Sequence, residues 1–181
     1  MLYFKDSQIT IRDIEKSDLI SIFNWWVDKR VNKFDPRVLP NDASSLIEEC
    51  NRFCINFESE VFNDVSNQNI YRYFMIDDSA GYPIGFINIF DFDAEKSETE
   101  LGIIIGEMSY WHTGVATKSL KVIIKYLFED MMFKRICIET NHANEPARKL
   151  FLKLGFKECG EDIDDGHKFL VMKLQSKDFL F

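Results

Sequence analysis

The chain has 181 residues, a net charge of −8, 46% hydrophobic residues and 14% aromatic residues. That size suits a single domain, 1–181, with a sizeable core, and the composition is globular rather than disordered. The acidic balance argues against nucleic acid as the main partner, because phosphate backbones demand a basic surface, and no apolar run approaches the ~20 residues needed to span a bilayer.

Gln8 to Ile14 alternates as a strand, with Ile9 and Ile11 on one face. From Asp18 the run DLISIFNWWVDKRVNKF predicts a helix carrying Leu19, Ile22, Phe23 and Trp26 on one side. A loop with Pro36 and Pro40 follows, then a second helix from about Ser44 to Phe57. Tyr71 to Ile76 and Ile84 to Phe92 read as strands joined by a turn at Asp77 to Tyr82, a β-hairpin. Glu100 to Ile105 is the next strand. Gly114 to Met131 is a long helix with Leu120, Ile123, Ile124, Leu127 and Phe128 at helical spacing. Lys134 to Glu139 returns as a strand. Asn144 to Leu154 forms a helix with Ala147, Leu150, Phe151 and Leu154 on one face, and Gly155 stops it. Phe156 to Cys159 and Phe169 to Leu174 pair around the turn at Asp164 to Gly166. This order predicts an α/β fold: a central mixed sheet of about seven strands flanked by about four helices on both faces.

The opening MLYFKDSQITIRD has no apolar leader core, so a cytoplasmic location is expected. Cys50, Cys54, Cys137 and Cys159 match no zinc spacing, and no metal is expected.

The segment LGIIIGEMSYWHTGVATKS, Leu101 to Ser119, runs from a buried strand through a turn into a helix. Gly114 and Ala116 stand where that helix begins. A helix N-terminus offers backbone N–H groups without intrahelical partners, and its dipole favours negative charge. Small residues there let an anion approach closely. The segment reads as a cradle for a pyrophosphate.

The chain resembles the GNAT superfamily of acyl-CoA-dependent N-acetyltransferases. The family's loop, Gln/Arg-x-x-Gly-x-Gly/Ala, corresponds to Trp111-His112-Thr113-Gly114-Val115-Ala116. One helix and one strand later come Asn144-x-x-Ala147, Leu150-Phe151 and Leu154-Gly155-Phe156. The resemblance implies a mostly antiparallel sheet whose splayed strands form the acyl-CoA cleft. The opening ITIRDIEKSDL, Trp111, and the early helix with Trp25, Trp26 and Asp28 resemble the RimJ/RimL-like group, which acetylates ribosomal-protein N-termini and has relatives acting on polyamines; aminoglycoside acetyltransferases lie near the same pattern.

The resemblance implies that acetyl-CoA is the cosubstrate. Its pyrophosphate would meet backbone N–H groups of His112, Thr113, Gly114, Val115, Ala116 and Thr117. The pantetheine would lie along main-chain groups of Ile103 and Ile105. Asn144 would hold the neighbouring strand end and contact the pantetheine arm, and Phe151 would line the same arm. A backbone N–H near Ile104 would meet the oxyanion, often the largest catalytic contribution. Ordinary primary amines titrate near ~10 and α-amines near ~8, so a general base is needed at neutral pH. Glu100 opens the cofactor strand and alternates with Gly102 and Ile104 on one face; it is the candidate, against a solvated strand-end carboxylate. Many family members carry tyrosine at the position of Phe151 as general acid. Phe151 cannot donate a proton, so water, Ser109 or Tyr110 would have to stand in, or the thiol, with a pKa near ~8.5, would leave as thiolate. His142 is a possible relay or a surface polar residue.

The acceptor implied is an amine, a peptide N-terminus or a small cation, transferred to directly in a ternary complex by a monomer or homodimer. Carboxylates at Glu58, Glu60, Asp64, Asp91, Asp93, Glu95, Glu98 and Glu100 fit a cationic acceptor or a solvated acidic surface. Trp25, Trp26 and Phe34 either line the acceptor pocket or belong to the core. A non-catalytic acyl-CoA-binding domain is the rival reading.

Overall fold

Successive residues along the strands point to opposite faces of one sheet, and the central strands are apolar on both. The computed structural model describes residues 1–63 and 71–179. Among the described residues there are eight strands, β1 (Leu2–Lys5), β2 (Ile9–Asp13), β3 (Arg72–Asp78), β4 (Pro83–Asp93), β5 (Glu98–Ile105), β6 (Arg135–Asn141), β7 (Lys157–Asp164) and β8 (His167–Gln175), and four α-helices, α1 (Leu19–Val27), α2 (Ala43–Phe57), α3 (Val115–Glu129) and α4 (Glu145–Lys153). The sheet runs β1-β2-β3-β4-β5-β6-β8-β7 and is open at both edges. All pairs are antiparallel except β5 with β6.

Two cores cover the two faces. On one, Leu120, Ile123, Ile124 and Leu127 of α3 and Phe151 of α4 pack on Ile87, Leu101, Ile136 and Ile138 of the sheet. On the other, Ile22 and Trp25 of α1 and Phe53 and Phe57 of α2 pack on Met75 and Phe86. The helix patterns of α3 and α4 therefore face inward as the apolar spacing required.

Four expectations need correction. The sheet has an eighth strand, β1, whose four residues are too short to show a period. The first helix stops at Val27 instead of running to Phe34. Asp28 turns extended (φ −77, ψ 115), and the Asn32 side chain takes the carbonyls of Trp25 and Trp26, a local competition that ends helices. Asp77 belongs to β3, not to the turn; it is 4% exposed because Arg12 neutralises it. The strand after Phe156 runs on to Asp164 as β7, exposed along its whole length. A polar edge strand carries no apolar signal.

Candidate active site

β5 and β6 pair only at Glu98–Arg135, Thr99–Ile136 and Glu100–Cys137, and then part. β5 continues to Ile105 on β4, and β6 continues to Asn141 on β8. The fork opens a cleft of about 680 Å³. Its floor is Leu101 to Ile104. Its sides are Asn144, Ala147 and Phe151 near α4, residues of the 31–37 segment, and Glu139, Asp164, Asp165 and His167.

The backbone at the fork is left unpaired on one side. The Gly106 N–H donates to Ile84 O (3.0 Å), and Ser97 O accepts from the N–H of Lys134, the residue before β6 (2.8 Å). An antiparallel ladder alternates its bonding direction residue by residue. The main-chain groups of Glu100, Gly102 and Ile104 thus face β4, and those of Leu101, Ile103 and Ile105 face the gap. The indole of Trp111 donates to Ile105 O at 2.7 Å. That bond ties the loop before α3 to the end of β5, so Trp111 is more than a packing aromatic.

The loop delivers α3 with its first amides uncommitted. His112 and Gly114 are both left-handed, at φ +63 and +91. Thr113 N donates weakly to Tyr110 O (3.4 Å), and the first amide returned to the helix is Lys118 N, to Gly114 O (3.0 Å). Among the described residues no acceptor stands on the amides of Gly114, Val115, Ala116 or Thr117. A Cβ at Gly114 would meet nothing within 4 Å. The glycine is set by its backbone angle, and the ground in front of the amides is open. Such a terminus attracts an anion.

Glu100 sits at the crotch of the fork, on the face opposite α3 and α4. Burial, then the charges of Glu139 and Asp91, push its pKa up to about 7. Glu139, a residue pattern reading missed, is raised by burial and then by Asp162, Asp91 and Asp164. Its polar side chain between buried Ile138 and Thr140 was the available signal. Glu98 is neutralised by Arg135 (2.7 Å) and Lys173 (3.2 Å), Asp93 by Lys96 (2.6 Å) and Glu58 by Lys16 (2.8 Å), so the acidic stretch is less free than its sequence suggests. Asp64 lies outside the described residues. Burial and Glu98 push the Cys137 thiol up to about 12, which keeps it protonated and unsuited to nucleophilic attack.

Of the residues singled out, Ile103, Ile104, Asn144 and Phe151 border the cleft. Ile105 and His112 to Thr117 do not line it, and neither does Glu100, which stands at the last β5–β6 pair, one residue before the floor begins at Leu101. Asn144 caps α4, its Oδ1 accepting from Ala147 N (3.2 Å), while its own N–H donates to Asn141 O (2.8 Å) and holds the end of β6. Phe151 packs edge-on to Phe156, centroids 5.2 Å apart. Tyr110 donates its hydroxyl to Asp78 (2.9 Å), away from the cleft. His142 faces Glu161 across 3.7 Å. Trp25 and Trp26 are core: their indoles donate to Glu107 (3.0 Å) and Glu49 (2.6 Å). Phe34 alone of the three aromatics borders the cleft.

Among the described residues no helix is long and apolar enough to cross a membrane. Three comparisons bear on this architecture. Residues 8–157 match the family model of the acetyltransferase (GNAT) domain. An uncharacterized N-acetyltransferase, p20, of Bacillus licheniformis is 24% identical over 156 residues, covering 84% of this chain and 81% of the relative. Among solved structures, spermidine N-acetyltransferase from Vibrio cholerae in complex with CoA and spermine superposes with a TM-score of 0.75 at 20% identity, over 97% of this chain and 100% of that one. Ribosomal-protein-S5-alanine acetyltransferase from Vibrio fischeri gives 0.75 at 18% identity, over 100% of both chains. These two likenesses are of fold. With the forked sheet and the open helix terminus, the domain match shows that the chain belongs to the GNAT family of acetyltransferases, which take their acetyl group from acetyl-CoA.

Proposed function

We propose that the 181 residues form one acetyltransferase domain of the RimJ/RimL-like group that acetylates a primary amine, a protein N-terminus or a small cation such as a polyamine, by direct transfer. The observation that carries this is the fork after Glu100, whose unpaired edge leads to the uncommitted amides of α3. The named relatives of similar fold act on spermidine and on a ribosomal-protein alanine, and so support an amine acceptor of either kind. The four cysteines, all free thiols, fit a reducing cytoplasm.

Acetyl-CoA supplies the activated acetyl group as a thioester. Amides of Gly114 to Thr117 hold its diphosphate, with His112 and Thr113 shaping the loop around them. The gap-facing groups of Ile103 and the free N–H of Ile105 align its arm, Ile104 floors the cleft, and Asn144 and Phe151 close the α4 side. Because the ladder turns the Ile104 amide to β4, the oxyanion donor near it is the N–H of Ile103 or Ile105. Glu100, ionised above pH about 7, takes the proton from the acceptor ammonium, directly or through water. Phe151 donates nothing, so the sulfur leaves as thiolate, and the second proton of the attacking nitrogen passes to that thiolate or to water. Glu139, Asp164 and Asp165 give the acceptor end a negative lining that suits a cation.

Release of free CoA from acetyl-CoA in the presence of spermidine, an alanine-terminated peptide and an aminoglycoside tests the assignment. Amine-dependent release is expected with at least one. Tight acetyl-CoA binding with no release across the panel would favour the binding-domain reading instead.

A further inference from the structure

One wall of the cleft is supplied by neither strand nor helix. The chain leaves α1 at Asp28, and Val31, Asn32, Phe34, Asp35 and Arg37 border the cavity. An irregular segment keeps one shape only if its polar groups are engaged. Asn32 is 8% exposed. Its Nδ2 donates to Trp25 O (2.7 Å), Trp26 O (3.1 Å) and Asp28 O (2.9 Å), carbonyls that the end of a helix leaves without partners. Arg37 locks this arrangement. Its Nη2 donates to Trp26 O (2.6 Å) and to Asn32 Oδ1 (3.1 Å), and its Nε to Asp35 (2.9 Å). The guanidinium lies 3.5 Å over the Trp26 ring. Trp26 is itself held to α2 through Glu49 (2.6 Å).

We propose that Asn32 and Arg37 are positioning residues for the acceptor: together they clamp the 31–37 wall to the end of α1 and fix the width of the cleft the amine must fit. The proposal rests on the acetyltransferase reading of that cleft. Neither residue touches the reacting atoms. Arg37 is engaged internally by Asp35, by two oxygens and by a ring face, so its planar fork matters beyond its charge. Lysine keeps the charge and loses the fork.

Arg37→Lys is the discriminating variant, since this side chain is partly exposed and lysine keeps a charged stem beside Trp26 while losing the fork. Asn32→Ala is the second. For both, the KM for the probe acceptor, spermidine or the alanine-terminated peptide, should rise about tenfold. The KM for acetyl-CoA and kcat should stay within about twofold. Hydrogen exchange at the amides of Asn32 and Asp35, which bond to Asp28 O and Asn32 O (both 3.0 Å), should accelerate while those of α1 keep their protection. A native acceptor KM in Arg37→Lys, or unchanged exchange in the wall, overturns the proposal. Should the native protein acetylate neither probe, that result strikes the acceptor reading alone, and exchange still decides the clamp: protection retained in Arg37→Lys overturns it.

Discussion

Glu100 titrates near neutrality, so the pH dependence of turnover should carry its signature. Activity at low acceptor concentration should rise with pH through about 7. Glu100→Gln should lose that limb and about 10²-fold or more in kcat, with acetyl-CoA affinity unchanged. Stability supplies an independent check. The folded-state pKa lies above the ordinary 4.5, so the native state binds the proton more tightly than the unfolded state. This group's contribution is complete at low pH and is lost as pH rises to about 7. Glu100→Gln should match the native protein in urea melts at pH 4 and exceed it at pH 8, by about 1 kcal/mol after allowance for solvent screening. Equal stability at both pH values would show that the carboxylate is not held uncharged. Glu100 could be singled out because an acid beside an apolar run stands out, although β5 begins two residues earlier, at Glu98. Glu139 was not, because its relation to Glu100 arises only when β5 and β6 lie side by side.

At the scale of elements, two glycines near the loop before α3 do different work. A Cβ at Gly106 would lie 2.1 Å from the Trp25 ring, whereas one at Gly114 would meet open space. Gly106→Ala should displace the indole and cost about 1–3 kcal/mol, visible as a lower melting temperature with altered tryptophan fluorescence. Gly114→Ala should cost about 1 kcal/mol through its φ of +91 alone, with tryptophan fluorescence unchanged. Similar fluorescence changes in both would contradict this division. The helices α3 and α4 could be read from sequence because packing on the sheet selects their apolar period. The end of α1 could not, since a side chain five residues beyond Val27 terminates it. The second half of β7, beyond Cys159, escaped because an exposed edge has no apolar face to repeat.

For the whole molecule, a single guanidinium joins distant parts of the chain. Arg12 on β2 binds Asp18 ahead of α1 (2.7 Å) and Asp77 on β3 (2.6 Å). Both carboxylates are almost fully buried. Arg12→Met should leave two adjacent buried charges unpaired and cost about 3–5 kcal/mol in denaturant unfolding; a loss below about 1 kcal/mol would mean the carboxylates escape to water or protonate without penalty. Element order made the layered α/β class legible, yet not the fork. Only three residue pairs join β5 to β6, and where that pairing ends depends on β6 following β8 instead. A crystal of the protein soaked with CoA tests the resulting site most directly. The diphosphate oxygens should stand about 2.7–3.2 Å from amides among Gly114 to Thr117, with the arm along Ile103 in the gap. A diphosphate seated elsewhere, with those four amides still bare, would contradict the assignment.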